Sequence, residues 1–161
     1  MASTITAGTL TVTVKESINL NGSEQGGSNT VSFASIAEVV KRILTITTAE
    51  STVATFSSAV ASAGHFTAAS VRYIRFTNLD DTNFITLTFR NQDNDEVAIK
   101  LDAGQSFIWN SDNSGGAVDV FNATQDADAD SDTALGDLTN IQADANTGSC
   151  DLEIFVAEKS S

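Results

Sequence analysis

The residues with the clearest chemical potential are a run of carboxylates. Asp126, Asp128, Asp130 and Asp132 alternate along DADADSDTALGD, and Asp137 follows near the twelfth position. Oxygen ligands at alternate positions resemble the spacing of a calcium-binding loop. The match fails in three places. Ser131 stands where that motif needs glycine, Asp137 replaces the long bidentate glutamate, and no flanking helical pattern is present. A solvated acidic loop is the reading this stretch favours, with a loose cation site between subunits as the alternative. No metal ligands are therefore assigned.

His65, the sole histidine, has only Ala63, Gly64, Phe66 and Thr67 beside it. A metal or acid–base role needs partners that these residues do not supply, so it reads as a surface or edge histidine. Cys150 lies between Ser149 and Asp151. A nucleophilic thiol needs a base and a positive environment. The nearby Asp151 and Glu153 raise a thiol pKa instead, so Cys150 reads as structural. No phosphate-cradling glycine loop and no nucleophile elbow is visible. The expectation is a protein that is not an enzyme, with no catalytic residues and no cofactor.

Composition narrows the class. The chain has 161 residues, 41% of them hydrophobic, which suits one globular domain with a real core. Eight basic residues face 21 acidic ones, for a net charge of -13. That balance argues against nucleic-acid binding, which needs a Lys/Arg surface. No apolar run reaches the ~18 residues of a membrane span. The opening MASTITAGTL lacks the pattern of a secretion signal. With one cysteine there is no disulfide framework, and with no proline the sheet edges need another form of protection.

The elements that would position these residues are strands. The stretch Val71–Phe89 reads as a central hairpin: Ile74 and Phe76 alternate with Arg72, Arg75 and Thr77, then Ile85, Leu87 and Phe89 alternate with Thr86, Thr88 and Arg90. Asn78-Leu79-Asp80-Asp81-Thr82 is a turn between them. Upstream, Leu10, Val12 and Val14 alternate with threonines, in a strand that pairs with Ser17–Asn21 or with another chain. The glycine-rich Asn21–Asn29 reads as flexible, so the first strand either folds back or reaches out as an arm. Residues 31–57 read as two strands, near 39–47 and 52–57, with a helical turn capped by Ser35 as the alternative. Val97, Ile99 and Leu101 form the next strand. After a turn at Asp102–Gln105, in which Gly104 is free to take a positive φ, Ser106–Asn110 follows. Trp109 and Tyr73 are expected in the core. Leu138 and Ile141 mark a short element, and Leu152, Ile154 and Val156 the last strand.

About eight short strands with frequent turns predict an all-β fold: a single-domain antiparallel β-sandwich of jelly-roll type. Residues 1–30 form its extended N-terminal strand or arm with a glycine hinge, and residues 31–161 form the sandwich, with an acidic insertion near 111–135.

YIRFTNLDDTNFITLTF, then VAIKLDAGQSFIW, then LTNIQADANTGSCDLEIFVA together resemble a family of small virion structural proteins of tailed phages, marine ones especially. Shared features are an aromatic-rich strand leading to an Asn-Leu-Asp turn (Tyr73–Leu87), a strand ending in Leu with a short Gly turn and Ser-Phe (Leu101–Phe107), and a closing acidic strand ending in Phe-Val-Ala (Asp151–Ala157). The similarity spans roughly residues 39–110 and 136–157. It leaves out the N-terminal arm and the acidic insertion, and it brings no catalytic or ligand residues.

The resemblance implies a particle component: a capsid decoration or cement protein that binds itself as a symmetric homo-oligomer, a trimer for instance, and the major capsid protein. The alternative of the same fold is a neck, tail or fibre-base protein. The charge would place it on the outer surface of the head, or at the neck or tail, away from packaged DNA. Manufacture in the host cytoplasm and no nucleic-acid or membrane partner complete the expectation. A carbohydrate-binding host-recognition module is the reading from another class.

Overall fold

The computed structural model describes residues 5–58, 62–112, 114–118 and 137–160. Its strands, in chain order, are β1 (Gly8–Lys15), β2 (Asn19–Leu20), β3 (Ser23–Glu24), β4 (Ser28–Ile46), β5 (Ser51–Ser57), β6 (His65–Thr67), β7 (Val71–Asn78), β8 (Ile85–Asn91), β9 (Glu96–Leu101), β10 (Ser106–Asn110), β11 (Leu138–Ala145) and β12 (Cys150–Lys159). A 3-10 turn, Ala68–Ser70, leads into β7. No helix among the described residues is long and apolar enough to cross a membrane.

Two sheets carry the fold. One has the order β1-β4-β12-β7-β10 and the other β6-β5-β11-β8-β9. Pairing is antiparallel except between β5 and β6. Without the outermost β1 and β6, each sheet keeps four strands, β4-β12-β7-β10 against β5-β11-β8-β9, which is the strand order of a jelly roll. The all-β sandwich expected from the strand pattern is the fold observed, and both strands read within residues 31–57 are present without a helix.

The central hairpin is corrected. β7 and β8 lie in opposite sheets and do not pair; the segment between them is an arch over the end of the sandwich. Ile74 and Phe76 on one sheet face the same interior as Ile85 and Leu87 on the other, and all four are fully buried. Period-two alternation says which side chains point inward. It does not say whether successive strands pair side by side or face each other. Residues 79–84 exceed the tight loop that favours a two-stranded hairpin. Among consecutive sandwich strands of the described residues, β8 and β9 do pair as a hairpin.

The arch is held from inside by Asn78, whose side chain is 0% exposed. Its Nδ2 donates to the carbonyls of Asn83 at 2.8 Å and Leu101 at 3.1 Å. Its Oδ1 accepts from the Asp80 amide at 3.0 Å. Asp80 repeats the device, accepting from the amides of Asn83 at 2.6 Å and Thr82 at 2.8 Å. Those two amides, Asn83 first, hold the Asp80 carboxyl below its ordinary range.

The first strand is also corrected. β1 does not pair with Ser17–Asn21; it pairs with Ser28–Ile36, the first half of the long β4. The second half of β4 pairs with β12. Where the halves meet, Ser35 takes a left-handed φ of 63°, and the β4–β12 register shifts just past it. A non-glycine residue in that region marks a local bend. Thus the β1/β4 ribbon lies on the outer face of its sheet. Phe33 and Ile36 pack with Tyr73 and Ala157 there, and Leu10, Val12 and Phe155 close around them. Tyr73 meets Phe33 at 6.5 Å and Phe155 at 5.8 Å between ring centroids.

The glycine-rich segment beyond β1 has more order than its composition suggests. Glu24 Oε1 accepts from the amides of Ile18 at 2.9 Å and Gly26 at 2.8 Å. These bonds pull the Glu24 carboxyl below its ordinary range. The Asn19–Leu20 and Ser23–Glu24 pair closes the turn, with Asn21 and Gly22 both at positive φ.

Candidate functional site

The four places with chemical or binding potential are the acidic run, Cys150, His65 and an aromatic cleft. Asp126, Asp128, Asp130 and Asp132 lie outside the described residues. Asp137 is described; it is exposed just before β11, and its carbonyl accepts from the Gln92 amide at 3.0 Å. Among the described residues no three His, Cys, Asp or Glu side chains gather as a metal site.

Cys150 opens β12 and is 1% exposed in the main core. Burial pushes its thiol up first, then the neighbouring Asp80 carboxylate, then Asp151. The sequence identified Asp151 but not Asp80, which the arch brings over from residues distant in the chain. Glu153, expected to act on the thiol, points instead to the outer face. There it pairs with Arg75 at 2.6 Å and Lys41 at 3.1 Å. Those two cations lower the Glu153 carboxyl. A buried thiol disfavoured from ionising is a packing residue.

His65 sits on the short edge strand β6, partly buried, next to Thr55 of β5 in the parallel pair. The edge position read from the sequence holds. What the sequence did not reveal is its neighbour Arg42, which reaches from β4 to the same notch.

Tyr73 and Trp109 separate. Tyr73 is buried, though beneath the ribbon and outside the inter-sheet core. Trp109 packs against the main core but at its margin, where it stays partly exposed. Its strand β10 is the edge of one sheet, facing β9 at the edge of the other. There Phe89, Phe107 and Trp109 form a triangle with centroid separations of 5.4, 5.6 and 6.4 Å. With Val97, Ile99 and Ile108 they line an open cavity of about 290 Å3. Its six lining side chains are apolar apart from the indole N–H of Trp109, so the cleft suits an apolar side chain better than a hydroxyl-rich ligand.

No protein-family model matches this chain, and no curated protein matches it.

Proposed function

We propose that this protein is a non-enzymatic structural protein of a tailed-phage virion, a decoration or cement protein that stabilises the head shell through subunit contacts. The observation that carries this reading is the ribbon. A jelly-roll sandwich presents a two-stranded extension whose distal part keeps Val14, Ile18, Leu20 and Val31 between 36% and 53% exposed. Apolar side chains on an extended β surface favour packing against another protein. The sandwich fold is in keeping with capsid domains, which use it widely, as lectins do. The net charge of -13 favours a position away from packaged DNA. The segments that carry the family resemblance coincide with β7, β8, β9, β10, β11 and β12, the frame of the sandwich. A neck, tail or fibre-base position uses the same surfaces and differs in copy number.

The aromatic cleft gives the carbohydrate-binding reading its one specific support, because Trp109 is accessible at the surface. The shortage of polar groups on its wall weighs against it, since sugar recognition needs hydrogen bonds to hydroxyls. Quantitative mass spectrometry of purified particles tests the proposal. A copy number comparable to the major capsid protein supports the shell role, and one lower by about an order of magnitude moves the protein to neck or tail. Absence from particles overturns both, and Trp109 quenching by glycans would then favour the sugar reading.

A further inference from the structure

The chain has four arginines, and three of them face carboxylates. Arg72 Nε lies 3.3 Å from Asp112, Arg75 Nη2 lies 2.6 Å from Glu153, and Arg90 pairs with Glu96. Arg42 forms no ion pair with any described residue. In a protein with 21 acidic residues this is unexpected.

Arg42 projects from β4 into the gap between the sheets. Its Nη2 donates to the Val53 carbonyl on β5. Its Nε is buried without a hydrogen-bond partner among the described residues. Burial pushes the guanidinium pKa down, the sign of a cation that has lost water without gaining an anion. Gly64 makes this placement feasible. It has a φ of 86°, and a Cβ there would stand 2.9 Å from Nη2 and 3.0 Å from Nη1. The guanidinium forms one wall of an open cavity of about 350 Å3 at the sandwich edge. Thr52, Thr55 and His65 are the other polar residues that line it, and no carboxylate of the described residues does. The notch thus offers the Arg42 positive charge with no carboxylate of the described residues beside it, a setting that favours an oxygen-rich anion over a cation.

We propose that this notch binds an oxyanion, a carboxylate or phosphate group, with the Arg42 guanidinium as the principal contact. The anion supplies the negative charge that a partly desolvated arginine lacks, and such a charge-assisted contact is stronger than a neutral one. It comes either from a free ion or from a carboxylate on a neighbouring protein. The inference is independent of the virion reading.

The test uses the full chain and inorganic phosphate. His65 is the only histidine, so its imidazole NMR signals are unique reporters. Phosphate added at constant pH and ionic strength should shift the His65 and Arg42 Nε–H signals to saturation, whereas chloride should not. Arg42→Gln should weaken that binding ~10-fold or more, the worth of a hydrogen bond to a charged group, and Arg42→Lys should retain part of it. Because Arg42→Gln also removes the bond to Val53, the wild-type comparison of phosphate with chloride serves as the test that needs no variant. Equal, unsaturated responses to the two anions would overturn the proposal. Sedimentation separates the sources: phosphate lowers the mass if a neighbour's carboxylate fills the notch, and leaves it unchanged if a free ion does.

Discussion

Replacing Asn78 with alanine should damage this fold out of proportion to the size of the change. The side chain is completely buried and makes three hydrogen bonds, to Asn83, Leu101 and Asp80. A typical net contribution is about 1 kcal/mol per bond, and more where a buried partner is left unsatisfied. Asn78→Ala should therefore cost about 3 kcal/mol. For a chain of this length, ~1 kcal/mol corresponds to about 2–4 °C in melting temperature, so the midpoint should fall by roughly 6–12 °C. Urea unfolding followed by the single tryptophan measures the loss directly. Asp81→Ala, on the exposed side of the same turn, is the control and should stay within about 0.5 kcal/mol of wild type. Asn78→Asp should be worse than alanine at neutral pH, because a carboxylate would face the Asn83 and Leu101 carbonyls that the amide now serves. It should recover in part in acid, where the protonated form can donate once. An alanine variant within about 0.5 kcal/mol of wild type, or an aspartate variant indifferent to pH, would refute the claim that this side chain holds the arch.

Three further outcomes follow from the packing and the charges. Ile141→Ala, at a position 0% exposed in the main core, should cost about 2–5 kcal/mol by urea titration. Gly116→Ala should lower the melting temperature much more than Gly104→Ala: both have positive φ, but an added Cβ collides with the Ala68 carbonyl in the first case and meets open space in the second. Glu158 and Glu153 should act oppositely in a pH titration of stability. Burial, chiefly, raises the Glu158 carboxyl, so the folded state holds its proton longer and stability from this group falls as pH rises from its ordinary 4.5 through the raised value. Lys41 and Arg75 lower Glu153, so its contribution is complete above 4.5 and is lost as pH falls through the lowered value. Glu158→Gln should accordingly flatten the decline above 4.5, and Glu153→Gln the decline in acid. The opposite assignment of slopes would show that the two environments are misread.

Much of this protein was legible in its residues. Alternation of apolar with polar residues is a local property, and it located inward side chains such as Ile74, Phe76, Leu87 and Ile154 because a strand's side chains alternate regardless of its neighbours. Gly104 takes the positive φ expected of it, at 71°. The turn chemistry of Asn78 and Asp80 was likewise visible, since both side chains bond to amides only a few residues away. Composition supported the all-β fold through its β-branched runs.

Tertiary structure alone decided the rest, because the deciding contacts join residues far apart in the chain. Whether β7 and β8 pair or arch depends on β12 and β10 occupying the two sides of β7. Tyr73 owes its burial to Phe33 of the folded-back ribbon, and Trp109 owes its partial exposure to the edge position of β10. The Cys150 thiol feels Asp80 only once β12 pairs with β7, and Arg42 and His65 come to line one notch only after strands from opposite sheets are packed together. Local periodicity carries the direction of a side chain, while its neighbours, and so its chemistry, come from how the sheets are assembled.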